Sequence, residues 1–482
     1  MTSNQSTMDM RKKWLALIVL CMGSLMIVLD ATIVNVALPS IRTDLGFSES
    51  SLAWVVNAYL LTFGGFLLLG GRLGDLFGHR LLFLIGLILF TLASLACGLS
   101  SSQFFLITAR AVQGLGGAVV SAVALSLIMN IFTEEKERAQ AMGVFGFVSA
   151  GGGSIGVLLG GVLTSFLDWH WIFLVNIPIG ILVFILCLLI LPRTQLLHHP
   201  RHVDVLGAAT VTLALMLAVY AVVNGNETGW LSLQTLGLLA AAAVLMGFFL
   251  FWESKTKHPI MPLHLFKIRN LATANVMGVL WAGGMFAWFF LSALYLQLIL
   301  SYSPLQVGLS FLPSNIIMAI FSIGLSAKVV MRFGIKTSLL SGLGLVMLGL
   351  LLFTRSPMHG NVWLDVMPGM TLFGFGAGIA FNPMLLAAMN DAPHDESGLA
   401  SGVVNTAFMM GGALGLAILA SIAAARTNIV TAAGADHLTA LNAGYHAAFF
   451  AGAAFLLLAI IIGAVFLRTK NPEPGAVPAT HH

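Results

Sequence analysis

Apolar residues along this chain gather in long runs separated by short polar connections. The runs lie near 14–38, 52–71, 81–99, 104–129, 139–164, 171–191, 204–223 and 232–252, then near 271–300, 306–330, 337–354, 363–389, 398–424 and 444–467. A helix needs about 20 apolar residues to cross the hydrocarbon of a bilayer with its backbone bonded internally. Each run approaches or exceeds that length, so the pattern predicts an all-α membrane protein with fourteen transmembrane helices. The first run follows Arg11, Lys12 and Lys13, as the core of a signal peptide does. It is too long for one, and no small-residue cleavage site closes it.

Composition removes the soluble alternatives. Of the 482 residues, 59% are hydrophobic and only 8% are charged, whereas a soluble domain carries roughly 25% charged residues. The net charge of +4 is too small for a nucleic-acid surface. Cys21, Cys97 and Cys187 all fall inside apolar runs at no metal-ligand spacing, which predicts core packing and no metal site.

Basic residues set the orientation. With the N-terminus in the cytoplasm, eighteen of the 22 lysines and arginines fall in cytoplasmic segments. Only Arg42, Arg355 and Arg426 fall outside, and Arg110 lies within a run. That asymmetry supports both the number of spans and their direction, because a missed helix would invert every later loop. Both termini are thus expected in the cytoplasm.

The chain also repeats. Gly71-Arg72-Leu73-Gly74-Asp75-Leu76-Phe77-Gly78-His79-Arg80 follows the second run, and Ala327-Lys328-Val329-Val330-Met331-Arg332-Phe333-Gly334-Ile335-Lys336 follows the tenth. Phe77-Gly78 aligns with Phe333-Gly334, Arg72 with Lys328 and Arg80 with Lys336, at a constant offset of 256 residues. Gly114-Leu115-Gly116-Gly117 has a looser echo in Gly374 to Gly378. Two six-helix halves separated by a two-helix insert explain the spacing, and such parallel repeats hold a substrate site between them. The expected division is a cytoplasmic tail at 1–13, one bundle at 14–192, connections with two inserted helices at 193–270, a second bundle at 271–467 and a cytoplasmic tail at 468–482.

Five of these segments together resemble the major facilitator superfamily, and within it the fourteen-helix drug:proton antiporters. Leu29-Asp30-Ala31-Thr32-Ile33-Val34-Asn35-Val36-Ala37-Leu38-Pro39 is similar to that family's first-helix signature, and Gly71 to Arg80 to the superfamily's loop motif. Arg110-Ala111-Val112-Gln113-Gly114-Leu115-Gly116-Gly117 resembles the fourth-helix motif associated with proton coupling. Trp171-Ile172-Phe173-Leu174-Val175-Asn176-Ile177-Pro178 and the stretch from His258-Pro259 to Phe266 fit the fourteen-helix branch. One position departs: Val157 in Gly156-Val157-Leu158-Leu159-Gly160-Gly161 stands where the antiporter motif has proline, so the bend a proline imposes is absent.

Asp30 is the most informative single residue, since a carboxylate inside a lipid-crossing helix is costly and marks function by default. It lies sixteen residues after Trp14, about 24 Å from the inner end, and eight before Leu38, about 12 Å from the outer end. Arg110 sits six residues into an inward-running helix, roughly 9 Å from the outer face, so the two can meet. Burial favours the protonated acid and the arginine favours the carboxylate, so a change in their contact could trade a proton. A static salt bridge is the alternative.

The resemblance implies a conformational gate at Gly71, Asp75, Gly78 and Arg80, read here as a tight charged turn; a purely topological turn is the alternative. Gly152, Gly156, Gly160 and Gly161 are expected to pack a helix closely. Asn35, Asn57, Tyr59, Gln113, Gln297, Asn315, Asn382 and Asn405 are polar candidates for a substrate cavity. Trp54, Phe286, Trp288, Phe289 and Phe381 are its aromatic candidates, with packing or lipid contact as the competing role. His446 reads as interfacial, and the stretch from Arg193 to His202 as a linker.

The resulting expectation is a monomeric, proton-coupled exporter of hydrophobic or amphipathic small molecules in the plasma membrane, the inner membrane of a bacterium. The proton is the coupling ion, membrane lipid the surroundings, and no other cofactor or nucleic acid is called for. Alternatives of the same fold are a dedicated exporter of a metabolite, lipid or siderophore, and an uncoupled facilitator or sensor. No phosphate-binding Gly-Lys-Ser/Thr loop or cluster of intramembrane catalytic groups supports a nucleotide-driven pump or an enzyme.

Overall fold

A computed structural model describes residues 9–48, 50–132, 134–191, 204–256, 259–389 and 397–468. Most of the two expected tails, the linker from Arg193 to His202 and His258 lie outside those residues. Every apolar run coincides with helix, and no strand occurs among the described residues. The first group comprises α1 (Met10–Leu45), α2 (Trp54–Phe77), α3 (His79–Gly98), α4 (Gln103–Ile131), α5 (Glu135–Phe166), α6 (Trp171–Leu174) and α7 (Asn176–Ile190). Then come α8 (Val205–Thr228) and α9 (Leu233–Lys255). The last group is α10 (Arg269–Leu294), α11 (Pro304–Ile320), α12 (Ser326–Phe333), α13 (Ile335–Phe353), α14 (Met367–Met389), α15 (Ser397–Ala432) and α16 (His437–Phe466).

Among the described residues, 12 helices are long and apolar enough to cross a membrane. Two further apolar stretches, Ile155–Phe166 of α5 and Pro304–Ile320, are shorter.

Local chemistry explains most boundaries. Side chains of Ser102, Asp204, Ser232 and Asp436 each accept from a backbone N–H in the first turn of α4, α8, α9 and α16. Ser303 and Gln306 form a capping box at α11, with Pro304 in its first turn. α1 runs past Pro39 to Leu45, beyond the proline that closed the run in the sequence pattern. The π segment Phe321–Leu325 joins α11 to α12, and Asn382 Nδ2 donates to the Ser322 carbonyl at 2.6 Å.

The loop motif is not a tight turn over ten residues. α2 stays helical through Gly71 and Asp75 to Phe77, and the chain reverses at Gly78, whose φ of 92° only glycine adopts without strain. The second copy does the same: Gly334 has φ 81° between α12 and α13. In each copy the next basic residue caps a distant helix. Arg80 Nη2 donates to the Leu188 carbonyl at the end of α7 (2.8 Å), and Lys336 Nζ donates to the Ala464 and Leu467 carbonyls at the end of α16 (2.7 and 2.9 Å). The repeat in the sequence is therefore a repeat of capping.

Close packing is carried by small residues. α1 packs on α5, α2 and α3 on α4, α13 on α14, and α10 on α15 and α16. The first and last groups meet along α5 with α11 and α2 with α15. Among the described residues, the hydrogen bonds that join them lie at the end remote from Met10: Gln297 Nε2 donates to Val36 O (2.9 Å), and Leu305 N to Ser165 Oγ (3.0 Å). α8 is clipped to both groups at that same end. Glu227 accepts from Ser50 at 3.0 Å, and its neighbour Asn226 donates to the Ser421 carbonyl of α15 at 2.7 Å.

Candidate functional site

Asp30 and Arg110 meet. Arg110 Nη1 donates to Asp30 Oδ2 at 2.5 Å, and both side chains are fully buried. Asp30 Oδ1 accepts from Gln113 Nε2 at 2.7 Å and from Asn176 Nδ2 at 3.0 Å. All three partners are donors, which is the surrounding an ionised carboxylate takes.

Six helices build this cradle, α1 carrying Asp30 itself. Arg110 and Gln113 are three apart on α4 and so share a face, where Arg110 Nη1 also reaches Gln113 Oε1 at 2.6 Å. Arg110 Nε donates to the Val55 carbonyl of α2 at 2.9 Å, and its guanidinium lies 4.3 Å from the Tyr59 ring centroid. Ser94 of α3 accepts from Gln113 Nε2 at 2.8 Å, orienting the amide. Asn176 comes from α7 for a local reason: Pro178 has no N–H to continue a helix from α6, and the rod breaks at Val175. Phe173, before the break, places its ring 5.6 Å from the same guanidinium. Arg110 Nη2 and the Tyr59 hydroxyl have no hydrogen-bond partner.

Sequence reasoning missed Asn176, Ser94 and Phe173 as members of this site. Asn176 and Phe173 both lie in the Trp171–Pro178 segment, which carries the resemblance to the fourteen-helix branch, so a signal existed without a role attached. Ser94 had none, being one small polar residue in an apolar run.

Of the cavity candidates, Gln113 and Tyr59 belong to the cradle. Asn57 is fully buried with neither amide atom partnered, and Asn315 is 2% exposed with an unpartnered Nδ2. Asn35 donates to the Thr32 carbonyl of its own helix, and Asn405, exposed, to the Ser401 carbonyl of its own. Gln297 and Asn382 make the helix contacts given above. Trp54 packs against Tyr220 of α8, with ring centroids 6.2 Å apart, away from the cradle. Trp288 stacks on Phe373 at 3.8 Å and, with Phe289, joins an aromatic core with Phe311. Phe286 and Phe381 both contact Phe408, at 6.2 and 6.3 Å, and Phe381 is 47% exposed. His446 is half-buried and bonded to the Ser356 carbonyl at 2.8 Å.

The glycines of α5 divide between two partners. A Cβ on Gly152 would meet Leu25 and Val28 of α1, on Gly156 Thr32 and Leu29, and on Gly160 the Ile33 carbonyl at 2.6 Å. On Gly161 it would meet the Pro304 carbonyl of α11, also at 2.6 Å. Val157, 1% exposed, sits between these faces. Asp75 lies in the last turn of α2, and its side chain lies outside what the structure describes.

The chain is 37% identical to the puromycin resistance protein pur8 of Streptomyces alboniger, covering 97% of this chain and 95% of that protein. It is 34% identical to the cephamycin export protein CmcT of Amycolatopsis lactamdurans, covering 96% and 94% respectively. The multidrug resistance protein Stp of Mycobacterium tuberculosis is 37% identical over 86% of this chain and 76% of its own length. Among solved structures, a bacterial homologue of the human lysosomal transporter Spinster, inward-facing and unoccupied, superposes with a TM-score of 0.67 at 16% identity, covering 96% of this chain and all of that one. The inward-open xylose transporter XylE of E. coli superposes with a TM-score of 0.63 at 15% identity, covering 96% and 98%. The Major Facilitator Superfamily model matches residues 20–416. A helical fold with a charged cradle inside it, full-length relatives and a family match over most of the chain lead to one conclusion: this multi-pass membrane transporter belongs to the major facilitator superfamily.

Proposed function

We propose that this protein is a proton-coupled exporter of hydrophobic or amphipathic small molecules, exchanging proton for substrate by alternating access. The observation that carries the reading is Asp30, surrounded by donors, sealed from solvent and held across three helices through Arg110, Gln113 and Asn176. A buried pair of this kind is expensive to maintain and gives little net stability, so a role in the transport cycle accounts for it better than architecture does. Names of the relatives, which speak of puromycin and multidrug resistance and of cephamycin export, support outward transport of organic compounds.

The frame of this reading has fourteen spans, with α5 and the continuous rod through α11 and α12 as the thirteenth and fourteenth. Two six-helix bundles, 14–192 and 271–467, rock about the α5–α11 and α2–α15 seams, with α8 and α9 inserted beside them. Both termini are cytoplasmic in a plasma membrane, a bacterial inner membrane, and the chain works as a monomer with the proton as its only coupling ion. In that orientation the bonds from Gln297 to Val36 and from Leu305 to Ser165 close the outer side.

The test is Asp30→Asn in proteoliposomes, with transport measured per folded molecule and thermal stability recorded alongside. Loss of pH-gradient-driven export with protein abundance retained is the expected result. Normal coupled export by the variant would reduce Asp30 to a structural ion-pair partner.

A further inference from the structure

Between α2, α8, α9, α10 and α15 lies a chamber of about 230 Å³, separate from the Asp30 cradle. Its wall is apolar and flexible: Leu68, Val211, Phe249, Met261 and Met410 contribute, and thioethers adapt to varied shapes. Leu250, also in the wall, is 44% exposed on the outer surface of the inserted pair, so the chamber adjoins the lipid-facing side.

Two polar side chains, one in the wall and one beside it, each keep an oxygen without a partner. Thr406 lines the chamber, is 6% exposed, and its hydroxyl bonds to nothing. That is unusual in this molecule, because Thr62, Thr212, Thr273 and Thr427 each return their hydroxyl to the carbonyl four residues earlier. Glu253, 3% exposed, lies one helical turn beyond Phe249 on the same face of α9. Its Oε2 accepts from the backbone N–H of Met261, a wall residue, at 3.2 Å, and its Oε1 is unpartnered. Asp204 stands close by, since a Cβ on Gly207 would lie 2.7 Å from Glu253 Oε1 and 2.8 Å from Asp204 Oδ2. The Asp204 carboxylate is already committed to Gly207 N at 2.8 Å and Trp252 Nε1 at 2.9 Å. Unspent hydrogen-bonding capacity therefore rests on Glu253, in an acidic corner beside an apolar chamber.

We propose that the inserted pair builds a second binding site that takes a lipophilic monocation from the bilayer, its apolar body in the chamber and its charge against Glu253. The site stands apart from the Asp30 reading and does not depend on it. A cation entering here compensates a desolvated carboxylate, whereas a purely apolar occupant leaves it unpaired.

The probe is a dodecyl-trimethylammonium bearing a diazirine on its chain, photolysed with the full-length protein in nanodiscs and mapped by peptide mass spectrometry. Labelling is expected in 246–261 and 406–414, and it persists in Asp30→Asn. Glu253→Gln lowers apparent affinity about tenfold or more, and dodecanol competes at least about tenfold less well than the unmodified ammonium. Val211→Trp, which fills the chamber, suppresses labelling. Thr406→Val, nearly isosteric, weakens it measurably and guards against misfolding of the bulkier variant. Labelling confined to other helices overturns the proposal, as does affinity unchanged by Glu253→Gln or competition by dodecanol equal to that of the ammonium.

Discussion

Asp30 receives three donors and Arg110 supplies one of them while leaning on Val55 and the Tyr59 ring, so removing either partner has unequal consequences. Arg110→Ala leaves a buried carboxylate without a counter-charge, a loss of about 3–5 kcal/mol that lowers melting temperature and folded yield. Arg110→Lys does not rescue it, because an ammonium cannot reach Val55 and Asp30 together in the planar fork geometry. Asn176→Ala removes one donor from the same carboxylate and is expected to cost about 1–3 kcal/mol by thermal denaturation. Asn405→Ala, whose amide bonds only within its own helix at the surface, stays within about 0.5 kcal/mol of wild type in the same assay. Equal effects of the two asparagine substitutions would count against the cradle as drawn. Asp30 and Arg110 were legible in the sequence because ionised groups inside apolar runs are rare. Asn176 and Ser94 were not, because a small polar residue in such a run does not reveal which way its helix turns.

Among the elements, run length located the 12 helices long and apolar enough to cross a membrane among the described residues, since lipid-crossing segments must be long and apolar whatever their packing. Internal irregularities escaped. The break at Val175 follows from Pro178, and the π segment at Phe321–Leu325 has its Ser322 carbonyl satisfied by Asn382 of another helix, a partner no single run records. The expected turn over Gly71, Asp75, Gly78 and Arg80 shrinks to a reversal at Gly78, because glycines in tightly packed helices serve contact and leave α2 helical to Phe77. That same logic sets a prediction for α5. Gly160→Val drives a side chain into the Ile33 carbonyl and should cost about 1–3 kcal/mol in thermal stability, while Gly237→Ala, with nothing within 4 Å, is neutral or better. For α8, Asn226→Ala removes its two bonds to Ser421 of α15 and leaves Ser421 Oγ on the Val222 carbonyl, while Glu227 still holds Ser50. The expected outcome is a shift toward the opposite-facing conformation, read as faster labelling of a cysteine at Gln297 or Ser165 by an impermeant reagent. Unchanged labelling rates would make the clip a passive contact.

For the molecule as a whole, orientation is the first thing to test. The native cysteines are buried and give little background. Single cysteines at Thr43, Ser101 and Leu231, all exposed at the end remote from Met10, should react with an impermeant external reagent in intact cells, and one at Ser254 should not. The reverse pattern would overturn the topology drawn from the basic residues. The repeat of glycine reversals and capping cations makes the two helix groups alike in build, yet they differ in charge. On the offset of 256, the position matching Asp30 is Phe286, so one group holds an ion pair and the other an aromatic ring. While Asp30 is ionised, its pair with Arg110 sums to zero, and the cradle presents no net charge to a guest. Once Asp30 takes a proton, Arg110 is left as an uncompensated cation in the same place. A singly charged cationic guest about 10 Å away then meets a repulsion of ~1.7 kcal/mol at an effective dielectric of 20, enough to lower its occupancy more than tenfold. Under the proposed proton exchange, proton and cationic guest thus exclude one another at a distance, without competing for any common atom, and a neutral guest escapes that exclusion altogether.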